Sequence, residues 1–308
     1  MGQKGFTQPE NKFMRWKNVS IIGLGLLGGS LGKAMVHRQL AERVTGLVRR
    51  SEAITDAVDA GVVHQAVMEP SKAVQEADLV VLCTPVLQIP SMVEQILPHL
   101  KAGCVVTDVG SVKCELVEKL EPLIASAEAT YLGSHPMAGS EQQGLGHANA
   151  QLFVGATCVV TPSESTPAKV LAEVTALWEL VGGHPRVMSA QEHDQCVAYA
   201  SHLPHALAAM LSWSSLNPSQ GKHPPALCSS GFRDTTRVAS GSPEMWADIF
   251  ISNRRAIMQS LSSHQDLCAQ LAQWLSQSKS RRDDWLVTYL NRLEQAENPE
   301  DQLPLKKH

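Results

Sequence analysis

His135 stands two residues past Gly133, ahead of Pro136, at the end of a short β-favouring run from Thr130 to Gly133. A neutral imidazole there could take a proton from a substrate alcohol, because the ordinary histidine pKa lies near neutrality. Ser111 and Lys113 follow a second such run, Cys104 to Thr107, by a few residues. Ser111 could hydrogen-bond a substrate hydroxyl and Lys113 could cap a helix or screen a carboxylate; the alternative is a loop serine and a solvated lysine. In Ser201-His202-Leu203-Pro204-His205, Ser201 and His205 are four apart and share a face if the segment is helical. Pro204 fits the first turn of a helix better than its middle. His202 and His205 form an H-x-x-H pair, but no third ligand follows at recognisable spacing, so no metal is expected. Gly231 to Arg237, G-F-R-D-T-T-R, carries Arg233 and Arg237 at i and i+4. One of them could fork onto a substrate carboxylate, or both could join Asp234 in a surface network. Trp246 opens an apolar helix and is by default core or subunit interface.

These side chains need a scaffold, and the stretch from Val19 to Gly32, V-S-I-I-G-L-G-L-L-G-G-S-L-G, describes its start. A β-branched run enters G-x-G-x-x-G, with Gly23, Gly25 and Gly28, and Leu27, Leu31, Ala34 and Met35 follow at helical spacing. Gly23 permits a tight turn, Gly25 lets the backbone approach a pyrophosphate, and Gly28 lets helix and strand pack closely. The helix N-terminus, at Leu26 and Leu27, then faces the phosphates with its partial positive charge. About 20 residues on, where an NAD-binding fold usually places Asp or Glu on the ribose 2′-OH, the chain has Arg49, Arg50 and Ser51. Two cations and a hydroxyl suit a 2′-phosphate, so NADP is expected, with NAD as the alternative; the plainer reading is a pair of solvated arginines. Thr84-Pro85 follows the run Leu79 to Cys83, at a strand end that faces the ligand crevice in an open parallel sheet. In that setting Ser111 could also reach the nicotinamide carboxamide.

Strands alternate with helices up to Ser189, which predicts an α/β Rossmann-type doubly wound domain. Ala156 to Thr161 and Arg186 to Ser189 are its last strands, flanking a helix over Pro167 to Val181. From Ala190 the periodicity is helical: Gln191 to Ser201, His205 to Ser215, Glu244 to His264 and Asp266 to Glu297, with a loop over Asn217 to Pro225. The expected organisation is a loose N-terminal extension (1–17), a dinucleotide-binding domain (18–189), an all-α substrate and dimerisation domain (190–297) and a frayed tail (298–308). A net charge of −4 gives no footprint for nucleic acid, and no apolar run approaches the length of a membrane span. Seven cysteines without a C-x-x-C predict reduced thiols in a cytoplasmic protein.

G-L-G-L-L-G-G-S-L, D-V-G-S-V-K, G-S-H-P-M-A-G-S-E, S-H-L-P-H and G-F-R-D-T-T-R-V-A occur in one order from residue 18 to about 275. In this the chain resembles the prephenate/arogenate dehydrogenase family of tyrosine biosynthesis. The resemblance implies oxidative decarboxylation in a cleft between a Rossmann domain and a helical domain that forms a homodimer. It implies that His135 is the catalytic histidine on the ring 4-hydroxyl, with Ser111 near the nicotinamide and that hydroxyl, and Arg237 at the substrate carboxylate. It places Ser201, His205 and Gly231 at the substrate pocket, with Trp246 reaching in from the partner subunit. The short chain, the Arg49-Arg50 pair and Thr235 look most like the cyanobacterial NADP-dependent arogenate enzymes. Arogenate is the expected substrate and prephenate the alternative; Glu141, Asp194 and Asp234 are candidates to read the arogenate ammonium. A regulator that binds NADP without turnover, or a generic 2-hydroxyacid or imine reductase, are the competing readings.

Overall fold

The computed structural model describes residues 16–139, 142–216 and 228–277, together with Val287. Most of the N-terminal extension, Glu141, the 217–225 loop, the chain past 277 apart from Val287, and the tail lie outside the described residues.

The N-terminal half is a parallel six-stranded sheet of β1 (Trp16–Ile22), β2 (Ala41–Leu47), β3 (Gln65–Val67), β4 (Leu79–Leu82), β5 (Val105–Asp108) and β6 (Thr130–Tyr131), ordered β3-β2-β1-β4-β5-β6. The period-two geometry of a strand sends alternate side chains to opposite faces, and here both faces are covered. Val19, Ile21, Leu79, Val81 and Val105 join one core with Leu31, Ala34 and Met35 of α1 (Leu26–His37). Ile22, Val80, Leu82 and Val106 join the other, against α4 (Ile89–Ile96) and α5 (Cys114–Ala125). Between these helices in sequence lie α2 (Glu52–Asp59) and α3 (Pro70–Val74).

β1 starts earlier than expected: Trp16 and Lys17 belong to the strand rather than to the extension, because Trp16 is buried in the first core. The run Thr130 to Gly133 is not one strand. Past β6 the chain turns into β7 (Gly133–Pro136), which leaves the large sheet and pairs antiparallel with β8 (Thr157–Thr161). β9 (His184–Val187) pairs parallel with β8, and α6 (Ala168–Leu180) connects the two. The last three strands therefore form a separate small sheet, and His135 lies opposite Val159 within it.

From Ala190 the described chain is helical: α7 (Ala190–Val197), a π turn (Ala198–His202), α8 (Leu203–Leu216), α9 (Ser230–Thr236), a 3-10 turn (Arg237–Ser240), α10 (Pro243–Ser252) and α11 (Arg254–Gln277). Ser189 caps α7 by accepting from Glu192 N, a capping-box spacing. Two helix boundaries differ from expectation. Pro204 has no N–H to give to the carbonyl four residues back. The preceding turn widens instead, with Leu203 N bonded to Ala198 O, so Ser201 sits in a π turn. The break expected near residue 265 falls at Asn253, whose side chain turns inward to bond Asp194 O at 2.8 Å and His202 Nδ1 at 3.1 Å.

Candidate active site

All strands of the large sheet run one way, so their carboxyl ends share an edge. Ile22 is level with Leu47 on one side and Leu82 on the other, and Leu82 is level with Asp108. Gly23, Arg49 to Ser51, Thr84-Pro85 and Ser111 are therefore neighbours along that edge.

The nucleotide cradle has the form its glycines require. Gly23 adopts φ +98°, a left-handed conformation favouring glycine. A Cβ on Gly28 would lie 2.0 Å from Gly23 O, whereas one on Gly25 would meet nothing within 4 Å. Space thus remains open at the N-terminus of α1, where Gly25 is the N-cap and no side chain fills the cap. Thr84 lies against the Gly23 turn, and its buried Oγ1 has no hydrogen-bond partner within the protein. An orphaned hydroxyl beside the glycine turn, with an open helix N-terminus following it, fits a bound dinucleotide. Leu26 and Leu27 form the first turn of α1, Leu27 packing on the core below. Arg49, Arg50 and Ser51 are all exposed past the end of β2, and Ser51 Oγ is 3.1 Å from Glu52 Oε1. The arginines are exposed beyond the strand end, while the Ser51 hydroxyl is engaged with a neighbouring carboxylate.

The other end of the edge is buried and densely bonded. Asp108 Oδ1 accepts from Tyr131 OH at 3.0 Å and from Ser134 N at 3.1 Å. Its Oδ2 accepts from Gly110 N and from Lys113 Nζ, and Lys113 also donates to Ser134 O at 2.9 Å. Both members of the Lys113–Asp108 pair are fully buried. Lys113 is thus neither a helix cap through its side chain nor a solvated charge; it ties the Ser111 loop to β7 directly beneath His135.

His135 is bonded through Nδ1 to His193 Nε2 at 2.8 Å, and His193 Nδ1 to Asp194 Oδ1 at 2.8 Å. The Asp194 carboxylate also caps α5 from the other half of the chain, accepting from Lys113 N at 2.8 Å and Cys114 N at 2.9 Å. Burial raises its pKa, but the bonds from His193 and these two amides outweigh that and bring it below the ordinary carboxylate value. Asp194 is committed to this work and is not a reader of substrate charge. Burial, then the neighbouring His193, Lys113 and His202, hold the His135 pKa well below the usual histidine value, so the imidazole is neutral at pH 7.

The helical half contributes a second cluster. His205 stacks on Trp246 with ring centroids 3.5 Å apart, and its Nδ1 donates to Val238 O at 2.8 Å. Trp246 thus lies against His205 of its own chain. Arg237 precedes Val238 and is exposed, and Gly241 just beyond lies so close that a Cβ there would clash with the Trp246 indole. Ser201 is half-buried; Gly231 and Asp234 are exposed on α9. Neither His193 nor Asn253 stands in a recognisable motif, and His202 belongs only to the H-x-x-H pair. The available signal was a His-Asp pair just inside a capping box, which acquires meaning only once β7 is known to pass beside it.

A parallel sheet with a glycine cradle, joined to a buried histidine cluster across a helical half, defines a nicotinamide-nucleotide-dependent oxidoreductase. The family model described as the prephenate dehydrogenase nucleotide-binding domain matches residues 31–187, and that described as the prephenate dehydrogenase dimerization domain matches 189–292. The chain belongs to the prephenate dehydrogenase family. It is 32% identical to the cyclohexadienyl dehydrogenase of Zymomonas mobilis over 91% of this chain and 95% of that one. It is 33% identical to the prephenate dehydrogenase of Bacillus subtilis over 78% of this chain and 65% of that one. Among solved structures, prephenate dehydrogenase from Aquifex aeolicus, in complex with hydroxyphenyl propionate and NAD+, superposes with a TM-score of 0.83 at 31% identity, covering 90% and 96% of the two chains. Synechocystis arogenate dehydrogenase superposes with a TM-score of 0.78 at 33% identity, covering 92% and 99%. No helix of the described residues is long and apolar enough to cross a membrane.

Proposed function

We propose that this chain oxidises arogenate to tyrosine with NADP, releasing carbon dioxide, through a cofactor domain over 18–189 and a substrate domain over 190–297. The substrate reading is carried by His205. Its Nδ1–H is spent on Val238 O, and burial lowers its pKa, so at neutral pH its remaining ring nitrogen can only accept. An ammonium group, which arogenate has and prephenate lacks, is a donor that suits it. Arg49 and Arg50 support NADP, offering two exposed cations where a 2′-phosphate would sit.

A bound nicotinamide supplies the hydride acceptor. His135 polarises the ring 4-hydroxyl and accepts its proton, Ser111 orients the same hydroxyl, and Arg237 holds a substrate carboxylate, with Ser201, Gly231 and Trp246 bounding the pocket. Loss of the ring carboxylate restores aromaticity, so these residues chiefly position and polarise. The protein works as a homodimer through its helical half, where Met210, Leu211, Trp213, Met258, Leu271 and Leu275 are exposed apolar side chains on α8 and α11. All seven cysteines are free thiols, in keeping with a cytoplasmic site of action.

A second reading, prephenate to 4-hydroxyphenylpyruvate with NAD or NADP, is favoured by the names of the Bacillus and Aquifex proteins and by the NAD+ in the latter complex. Purified protein given arogenate or prephenate, each with NADP or NAD, separates the two when nicotinamide absorbance and carbon dioxide are followed together. Turnover with arogenate and NADP is expected. Preference for prephenate overturns the first reading, and cofactor reduction without carbon dioxide overturns both.

A further inference from the structure

The chain His135–His193–Asp194 is a hydrogen-bonded relay that runs from β7 to a carboxylate. Asp194 receives three N–H groups and, held below the ordinary carboxylate pKa, is ionised and can only accept. His193 therefore donates from Nδ1, and where its Nε2 accepts, the relay runs in one direction toward the carboxylate. His135 must then donate from Nδ1, which leaves its own Nε2 bare. We propose that His193 and Asp194 are positioning residues, holding His135 in the tautomer whose Nε2 can receive the substrate proton and drawing toward Asp194 the positive charge that this transfer creates.

The inference rests on His135 as the base, and the step balances. The O–H bond of the ring hydroxyl breaks, its proton goes to His135 Nε2, and its electron pair forms the C=O as the C–H pair leaves with its hydrogen for the nicotinamide. Departure of carbon dioxide leaves the C–C bonding pair in the ring, which becomes a phenolate, and Nε2 returns the proton to that oxygen. While Nε2 is protonated, the His135 Nδ1–H points at the lone pair of His193, whose own Nδ1–H points at a carboxylate. The other charged or titratable groups facing His135 are Lys113, from the loop before α5, and His202, from the π turn. Lys113 opposes a positive ring and His202 is neutral, so the Asp194 charge is the counterweight within the cluster. A buried aspartate orienting an imidazole in this way is a recurrent device for base catalysis.

Nitrogen-15 NMR of the full-length, histidine-labelled protein at pH 7 reads the tautomer directly, with His135 assigned by the signal lost in His135→Asn. His135 is expected as the neutral Nδ1–H form; the Nε2–H form, or an imidazolium, overturns the proposal. No substrate is needed, so this outcome is separable from a wrong choice of reaction. Asp194→Asn places an amide where the His193 proton was accepted and should turn both rings over, reducing kcat at least 10²-fold with KM within about threefold. Unchanged kcat, or His135 still in the Nδ1–H form, overturns the proposal. Because Asp194 also caps α5, His193→Gln provides the variant that leaves that cap intact. It is expected to lower kcat at least tenfold and to move the acid limb of its pH profile, and an unmoved limb with unchanged kcat overturns the proposal.

Discussion

The carboxyl edge of the large sheet holds two regions built on opposite principles. At the end of β2, Arg49 and Arg50 are exposed. At the ends of β5 and β7, Asp108, Lys113, Ser134, His135, His193 and Asp194 are bonded to one another with little or no exposure. The first arrangement suits recognition of an anion arriving from water, where each charge acts alone and is screened. The second suits chemistry, because fixed dipoles act more strongly in a site that excludes water and do not reorganise during the reaction. Substitution at the first edge should change one contact, whereas substitution at the second should disturb a network.

The largest expected effect is on stability. Lys113→Ala leaves Asp108 buried without its cation, and losing one partner of a buried pair costs about 3–5 kcal/mol. Denaturant unfolding should reveal that loss, and a change below 1 kcal/mol would show the network to be loosely coupled. His135→Asn should keep the fold and reduce kcat by about 10²-fold or more, as for removal of a general base. Near-native kcat would place the chemistry elsewhere on the edge. Arg49→Ala, at the open end, should raise KM for NADP about tenfold while leaving KM for NAD and the unfolding transition nearly unchanged, as fits one exposed charge-assisted contact. Equal effects on both nucleotides would erase the contrast between the regions.

The most gradual effects come with pH. His135 and His202 have folded-state pKa values below the unfolded value near 6.5, that of His202 about 4 through burial. Both are neutral in the fold, so their contribution is complete above pH 6.5 and is lost as the pH falls toward their folded-state values. Asp194, with a lowered pKa, loses its contribution only below its ordinary 3.8. Thermal unfolding should therefore weaken between pH 6.5 and 4, while kcat stays level through pH 6.5 and falls only at lower pH. A kcat limb at 6.5 would mean that His135 is not held neutral by its surroundings.

The open region was readable in advance and the buried one was not. Gly23, Gly25 and Gly28 shape the turn close to where they sit in the chain, because a strand, a turn and a helix N-terminus are local structures with local side-chain requirements. β3 escaped notice because Gln65–Val67 is too short to show alternation, and the small sheet because strand pairing partners leave no trace in a single strand's pattern. The ordered motifs identified His135, Ser111 and Arg237 as a set, yet gave no hint that Lys113 is a buried cation or that Trp246 stacks on His205 of its own chain.

Composition, periodicity and motif order thus determined the class of fold, the cofactor cradle and the candidate base. Only the tertiary structure decided the state of that base. His135 and His193 are 58 residues apart, and Lys113 and Asp194 81 apart. Tautomer, charge and pKa depend on which groups lie within about 3 Å, a distance that folding creates between segments whose sequences carry no record of each other.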